Sequence, residues 1–233
     1  MIPARGRACR PVWGIVGLAA QAAFTGGWAL AETWQGPSYS WITSSISDMQ
    51  AANAPHAWFP ILALALGGIG SFLFVAVALR PQLRSAAPRG DAMAWLLAVA
   101  VLAIGNSFPL IPCQVGPGCS ANQQLLSAGG LTDAIVATLA FLIIALSPGP
   151  LWHRLQRLPK WRSFRPAAVA ASIVCPAAFL VLCAASITGV DEGLAERLLA
   201  AACSLWLAAL SAWWLAAARR PQETEPGDRS ASG

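Results

Sequence analysis

Long apolar runs alternate with short polar stretches along the whole chain, and the runs do not break into the two-residue alternation of strands. Six runs stand out: Val12–Ala31, Trp58–Leu79, Met93–Pro112, Leu125–Leu146, Ala167–Thr188 and Leu198–Ala218. Five contain no Asp, Glu, Lys or Arg, and the fourth contains only Asp133. A hydrocarbon core about 30 Å thick is crossed by roughly 20 apolar residues in a helix, and lipid offers no partner for an unpaired peptide group. Barrel strands would be about ten residues long with alternating polarity. The pattern therefore predicts an all-α polytopic bundle of six transmembrane helices. Residues 1–11 form a short N-terminal segment, 12–218 the membrane domain, and 219–233 a polar tail read as disordered.

Composition supports this reading. Of 233 residues, 57% are hydrophobic and 11% charged, against about 25% charged in ordinary soluble domains. The excess of 15 Lys+Arg over 10 Asp+Glu would suit nucleic acid if it formed a stripe. It lies instead in clusters between apolar runs, so no nucleic-acid partner is expected. Those clusters give direction. Arg5, Arg7 and Arg10 precede the first run, and Arg80, Arg84 and Arg89 follow the second. Arg154 to Arg165 follow the fourth, and Arg219, Arg220 and Arg229 end the chain. Only Arg197 falls on the other side. By the positive-inside rule both ends are cytoplasmic, in a plasma membrane. A competing reading takes Arg5–Arg10, the first run and Ala29-Leu30-Ala31 as a cleavable secretory signal, which would leave five spans.

Small residues recur every four positions at Ala63, Gly67 and Ser71, and at Ala200, Ser204, Ala208 and Ala212, a pattern that permits close helix approach. Several Trp residues, including Trp34, Trp41, Trp58, Trp152, Trp161, Trp213 and Trp214, sit near span ends and suit the two membrane interfaces. Within the long connection Glu32–Ala57, Ile42, Ile46, Met49 and Asn53 have near-helical spacing, which predicts a short helix in the interface plane, acting as a cap or a lid.

Candidate chemistry gathers on the side away from the arginines. A helix starting at Leu125 carries Asp133 about 12 Å inward. A carboxylate there must face the bundle, pair, or be protonated, unless Thr132 or Asp133 caps a shortened helix. Arg197 is the expected partner of Asp48, Asp133 or Glu196, or else a bidentate holder of a lipid phosphate. Asp191, Glu192 and Glu196 also suit the first turn of a helix. His56 and Trp41 complete the candidate ligand-binding set, and Asp133 and Asp48 are the candidate proton donors. A Ser47–Asp48–His56 triad is disfavoured because no nucleophile elbow is present. Cys113 and Cys119 are expected to form a structural disulfide. No metal site is expected with His56 as the one imidazole on that side, and no cofactor motif occurs.

Tyr39-Ser40, Ile46-Ser47-Asp48, Ala54-Pro55, Phe108-Pro109 and Gly193-Leu194-x-Glu196-Arg197 together resemble a bacterial membrane family catalogued as domain of unknown function 998. That resemblance implies a multi-span bacterial membrane protein and no established reaction. Near the outer end of the fourth span the family often has a His, where this chain has Gln123, Gln124 and Asp133. The functional expectation is a membrane protein whose outward polar pocket engages a lipid or other hydrophobic small molecule. The alternatives are an intramembrane acid catalyst acting on an isoprenoid or lipid in a Trp-lined cavity, and a transporter or export/immunity component.

Overall fold

The computed structural model describes residues 11–86, 89–105, 111–116 and 118–219. Arg5, Arg7, Arg10, Phe108-Pro109 and the tail from Arg220 lie outside them. The described chain is a helical bundle without strands; its only ladder contact is an isolated bridge between Gly116 and Cys119. Six long helices build it: α1 (Pro11–Ala31), α2 (Trp58–Ala86), α3 (Gly90–Gly105), α4 (Ala128–Leu146), α5 (Arg165–Thr188) and α6 (Glu192–Arg219). Five have the length and apolarity to cross a membrane. The sixth, α3, has 16 residues, about 24 Å at helical rise, and the rest of the expected third span runs into residues 106–110. Shorter helices cover Ala121–Leu125 and Pro148–Leu155. Near its end α2 widens into a π-helical stretch, Phe74–Leu79. Pro81 follows directly and has no N–H for the carbonyl four residues back, so a wider turn there avoids a clash.

α1 lies between α2 and α6 and packs most closely on α2. The small-residue stripe of α2 faces it. Ala63 meets Gly27, Gly67 meets Phe24 and Ala20, and Ser71 accepts a hydrogen bond from Gln21 Nε2 at 2.7 Å. On α6 the four-residue stripe holds only for its first half. Ala200 and Ser204 are buried, but Ala212 is exposed and the buried face moves to Leu207, Ser211 and Trp214. A helix has 3.6 residues per turn, so a stride of four drifts off one face. Gln21, Thr25, Ser71 and Ser204 form one hydrogen-bonded group at this junction, which satisfies polar atoms where lipid and water cannot. α2 and α3 cross backbone to backbone at Gly68 and Gly105.

The arginine end is a packed layer. Arg80 pairs with Asp91 (2.6 Å) and covers the Trp95 ring. Trp161 stacks on Trp213 with ring centroids 4.3 Å apart. Trp161 and Trp214 are fully buried, so these two serve the core and not the lipid interface expected of them. Trp41 and Trp58 at the opposite end are exposed.

Two local expectations are corrected at that opposite end. The long connection forms turns and two short 3₁₀ helices, Glu32–Trp34 and Ser47–Gln50, where an interfacial α-helix was expected. Ser45 Oγ accepts from Asp48 N–H while Asp48 Oδ2 accepts from Ser45 N–H, both at 3.1 Å. This reciprocal pair is the pattern of a capping box, and it competes with continued helix. The fourth span breaks at Leu126-Ser127, and Ser127 Oγ caps α4 by accepting from Gly130 N–H at 2.9 Å. Neither Thr132 nor Asp133 is the cap. Asp133 sits five residues inside α4, about 8 Å from its start.

Candidate functional site

Three of the stretches that carried the family resemblance, Tyr39-Ser40, Ile46-Ser47-Asp48 and Gly193–Arg197, fold against each other. Gly193, the second residue of α6, has no side chain, and a Cβ there would lie 2.3 Å from Ser44 O. This vacancy lets the Tyr39–Asp48 loop lie on the helix terminus. Leu194 N–H then donates to Ile42 O (2.8 Å), and Ile46 N–H donates to Glu196 Oε2 (2.8 Å). Arg197 donates to Ser44 O and Gly193 O, each at 2.8 Å, and to the Tyr39 hydroxyl and Glu32 carboxylate. Its side chain is almost wholly buried. Burial pushes the Tyr39 phenol above its ordinary value, so it remains a hydroxyl that accepts from Arg197 and donates to Ser45 O.

The partner of Arg197 is thus Glu32, and not Asp48, Asp133 or Glu196. Adjacent residues on a helix point about 100° apart, so Arg197 and Glu196 look in different directions. With four of its five N–H donors engaged by protein acceptors, Arg197 is a clamp between α1, α6 and the loop. Asp48 is similarly engaged. It accepts from Ser45 N–H, from Gln124 Nε2 at 2.7 Å and from Val115 N–H at 3.5 Å. Gln124 Nε2 also donates to Cys113 O (2.8 Å), and Cys113 and Cys119 form a disulfide. Gln123 forms a capping box with Ser120. The loop, the disulfide turn and the Ala121–Leu125 helix make one tethered cap.

Beneath this cap lies a cavity of about 470 Å³, within the range of small-molecule sites. Asp48, Asp133, Glu192 and Glu196 line it, with Gln124 and the hydroxyls of Ser44, Ser45, Ser47, Thr138 and Ser186. Ala134, Ala137, Phe141 and Leu182 supply an apolar wall from α4 and α5. Among the described lining residues none is Lys, Arg or His. Thr138 of α4 and Ser186 of α5 both line the cavity and are exposed.

Of the six residues nominated for ligand binding, the fold gathers Asp48, Asp133 and Glu196 around this cavity. Arg197, His56 and Trp41 lie elsewhere. The His56 ring meets Trp34 edge-on with centroids 6.1 Å apart, and Trp41 is half exposed. The wall aromatic is Phe141, and no Trp lines the cavity. Glu32 and Gln50 escaped the sequence reading, and Tyr39 entered it only through the family resemblance. Glu32 was legible only as an acid at the end of the first span.

Bundle, cap and cavity together define a polytopic helical membrane protein with an acid-lined chamber at one end. The chain belongs to the family described as "Protein of unknown function (DUF998)", whose model matches residues 5–213. No curated protein and no solved structure matches it.

Proposed function

We propose that the acid-lined cavity is the working site and that it faces the outer side of a bacterial plasma membrane, where it engages a lipid or another amphiphile. One observation carries this reading: four carboxylates and several hydroxyls border a cavity that has an apolar wall and, among its described lining residues, no cation. Such a potential favours a positively charged or hydroxyl-rich head group and disfavours an exposed phosphate. An opening beside Thr138 and Ser186 would give an apolar tail a route between α4 and α5. The test is mass spectrometry of amphiphiles co-purifying with the full chain and with Asp133→Asn/Glu196→Gln. Loss of a bound species from the variant supports the reading, and an unchanged profile ends it.

A second reading follows from the same two acids. Asp133 and Glu196 border both the main cavity and a smaller chamber behind it. A pair of carboxyls beside an apolar wall suits proton donation to an isoprenoid or lipid, one group acting as acid while the other stabilises developing positive charge. Turnover of candidate isoprenoid lipids that survives Asp133→Asn and Glu196→Gln unchanged would remove this alternative.

A further inference from the structure

We propose that the smaller chamber binds a primary ammonium group, so that the ligand of the main cavity is an amine. This inference rests on the cavity reading above. The chamber holds about 40 Å³ and shares Ser47, Asp133, Phe141 and Glu196 with the main cavity. It is thus the inner end of the same space. Phe24, Leu64 and Ile104 close its floor.

Gln50 supplies the independent observation. Its side chain lines the chamber, is 3% exposed, and its Oε1 has no hydrogen-bond partner among the described residues. A buried carbonyl oxygen without a donor is destabilising, and such atoms are rare in folded proteins. Around it stand two carboxyl groups, the Ser47 hydroxyl and the Gln50 amide. Glu196 commits Oε2 to Ile46 N–H. The Gln50 carbonyl oxygen therefore lacks a donor, and among the described lining residues none is a cation.

A primary ammonium brings a donor for that oxygen and a positive charge for the carboxyl groups. Its three N–H donors can be shared among Gln50 Oε1 and the Asp133 and Glu196 carboxylates, which accept more than one bond each. Its size is close to that of water, which a space of this volume admits. A trimethylammonium group has no donor and is several times larger, so the chamber selects against it. Among the described residues no cluster of three or more His, Cys, Asp or Glu side chains is arranged to hold a metal ion, and an ammonium needs no such cluster. Apolar walls around the charge strengthen each contact by lowering the local dielectric.

The test measures binding of four probes to the full chain in lipid nanodiscs: decylamine, decyltrimethylammonium, decanol and ethylamine. Decylamine is expected to bind at least about tenfold more tightly than decyltrimethylammonium, the worth of one charge-assisted hydrogen bond. Gln50→Leu should lower decylamine affinity about tenfold and bring the two ammonium probes close to parity. Gln50→Glu, which keeps the acceptor and adds charge, should raise decylamine affinity and serves as well if the leucine variant fails to fold. Equal binding of the two ammonium probes to the native chain overturns the inference, as does a preference that Gln50→Leu leaves intact. If both bind equally and Asp133→Asn/Glu196→Gln abolishes both, the cavity reading stands while the amine assignment falls. If no probe binds, both fall. Ethylamine matching decylamine would assign a free amine as the source, and dependence on the tail would assign an amphiphile; each supports the ammonium site.

Discussion

Replacing Arg197 by Gln should be among the most damaging single changes at the cap, and its cost can be worked from the contacts. The Arg197 side chain is 6% exposed and that of its partner Glu32 is 23% exposed. Removing one member of a buried ion pair costs about 3–5 kcal/mol, and the partial exposure of Glu32 favours the lower end. Ser44 O would lose its donor, adding about 1 kcal/mol. Gly193 O costs little, because the backbone N–H of residue 197 can still serve it within α6. Tyr39 keeps its bond to Ser45 O. The sum is about 4 kcal/mol, or a fall of roughly 8–16 °C in melting temperature for a chain of this size. Thermal unfolding of the purified protein in detergent measures it. Glu32→Gln, which leaves the more deeply buried guanidinium without a counter-charge, should cost about 3–5 kcal/mol as well. The double variant should fall short of the sum of the singles, since both remove the same contact. A shift under about 3 °C for Arg197→Gln, or strict additivity in the double variant, would show that Arg197 does not hold the cap.

Asp48→Ala strands Gln124, Val115 N–H and Ser45 N–H and should destabilise by about 2–4 kcal/mol, visible as faster proteolysis of the turn around residues 113–119. Cys113→Ser opens a loop whose cysteines are six residues apart. By loop entropy this costs about 2 kcal/mol, and reductant should lower the unfolding midpoint of the native chain but not of the variant. Gly105→Ala places a Cβ 2.4 Å from Gly68 Cα and 2.5 Å from Leu64 O, so α2 and α3 must separate at a cost of about 1–3 kcal/mol or more. Gly26→Ala in α1 meets nothing within 4 Å and should instead stabilise by up to about 1 kcal/mol through helix propensity; the two alanine variants compared in one denaturation series check the pair.

The helices were readable because lipid imposes a local rule. A span must be long, apolar and internally hydrogen-bonded, and each of these is visible within some twenty neighbouring residues. The stripe Ala63-Gly67-Ser71 was readable for the same reason, since close packing on α1 needs only small side chains at a helical stride. Local reading failed where polar side chains took over the backbone. Ser45 with Asp48 cut short the expected interfacial helix, and Ser127 moved the start of α4. Short polar residues hold these positions through bonds that leave hydrophobic periodicity unchanged, so the pattern carried no warning. The buried roles of Trp161 and Trp214 were hidden similarly, because position near a span end does not say which way a ring points.

Asp133 shows the limit most plainly. Its isolation among apolar neighbours marked it, in the sequence alone, as a residue that must face the bundle, pair or be protonated, unless it or Thr132 capped a shortened helix. That Asp48, Glu196 and Gln50 would join it around one space was settled by the tertiary fold. So was the choice of Glu32 for Arg197, across 165 positions of sequence. Span length and polarity are set by the solvent each segment meets, and that is written residue by residue. Pairing among charged groups depends on which helix faces turn toward each other, a property of the packed bundle and of no single segment.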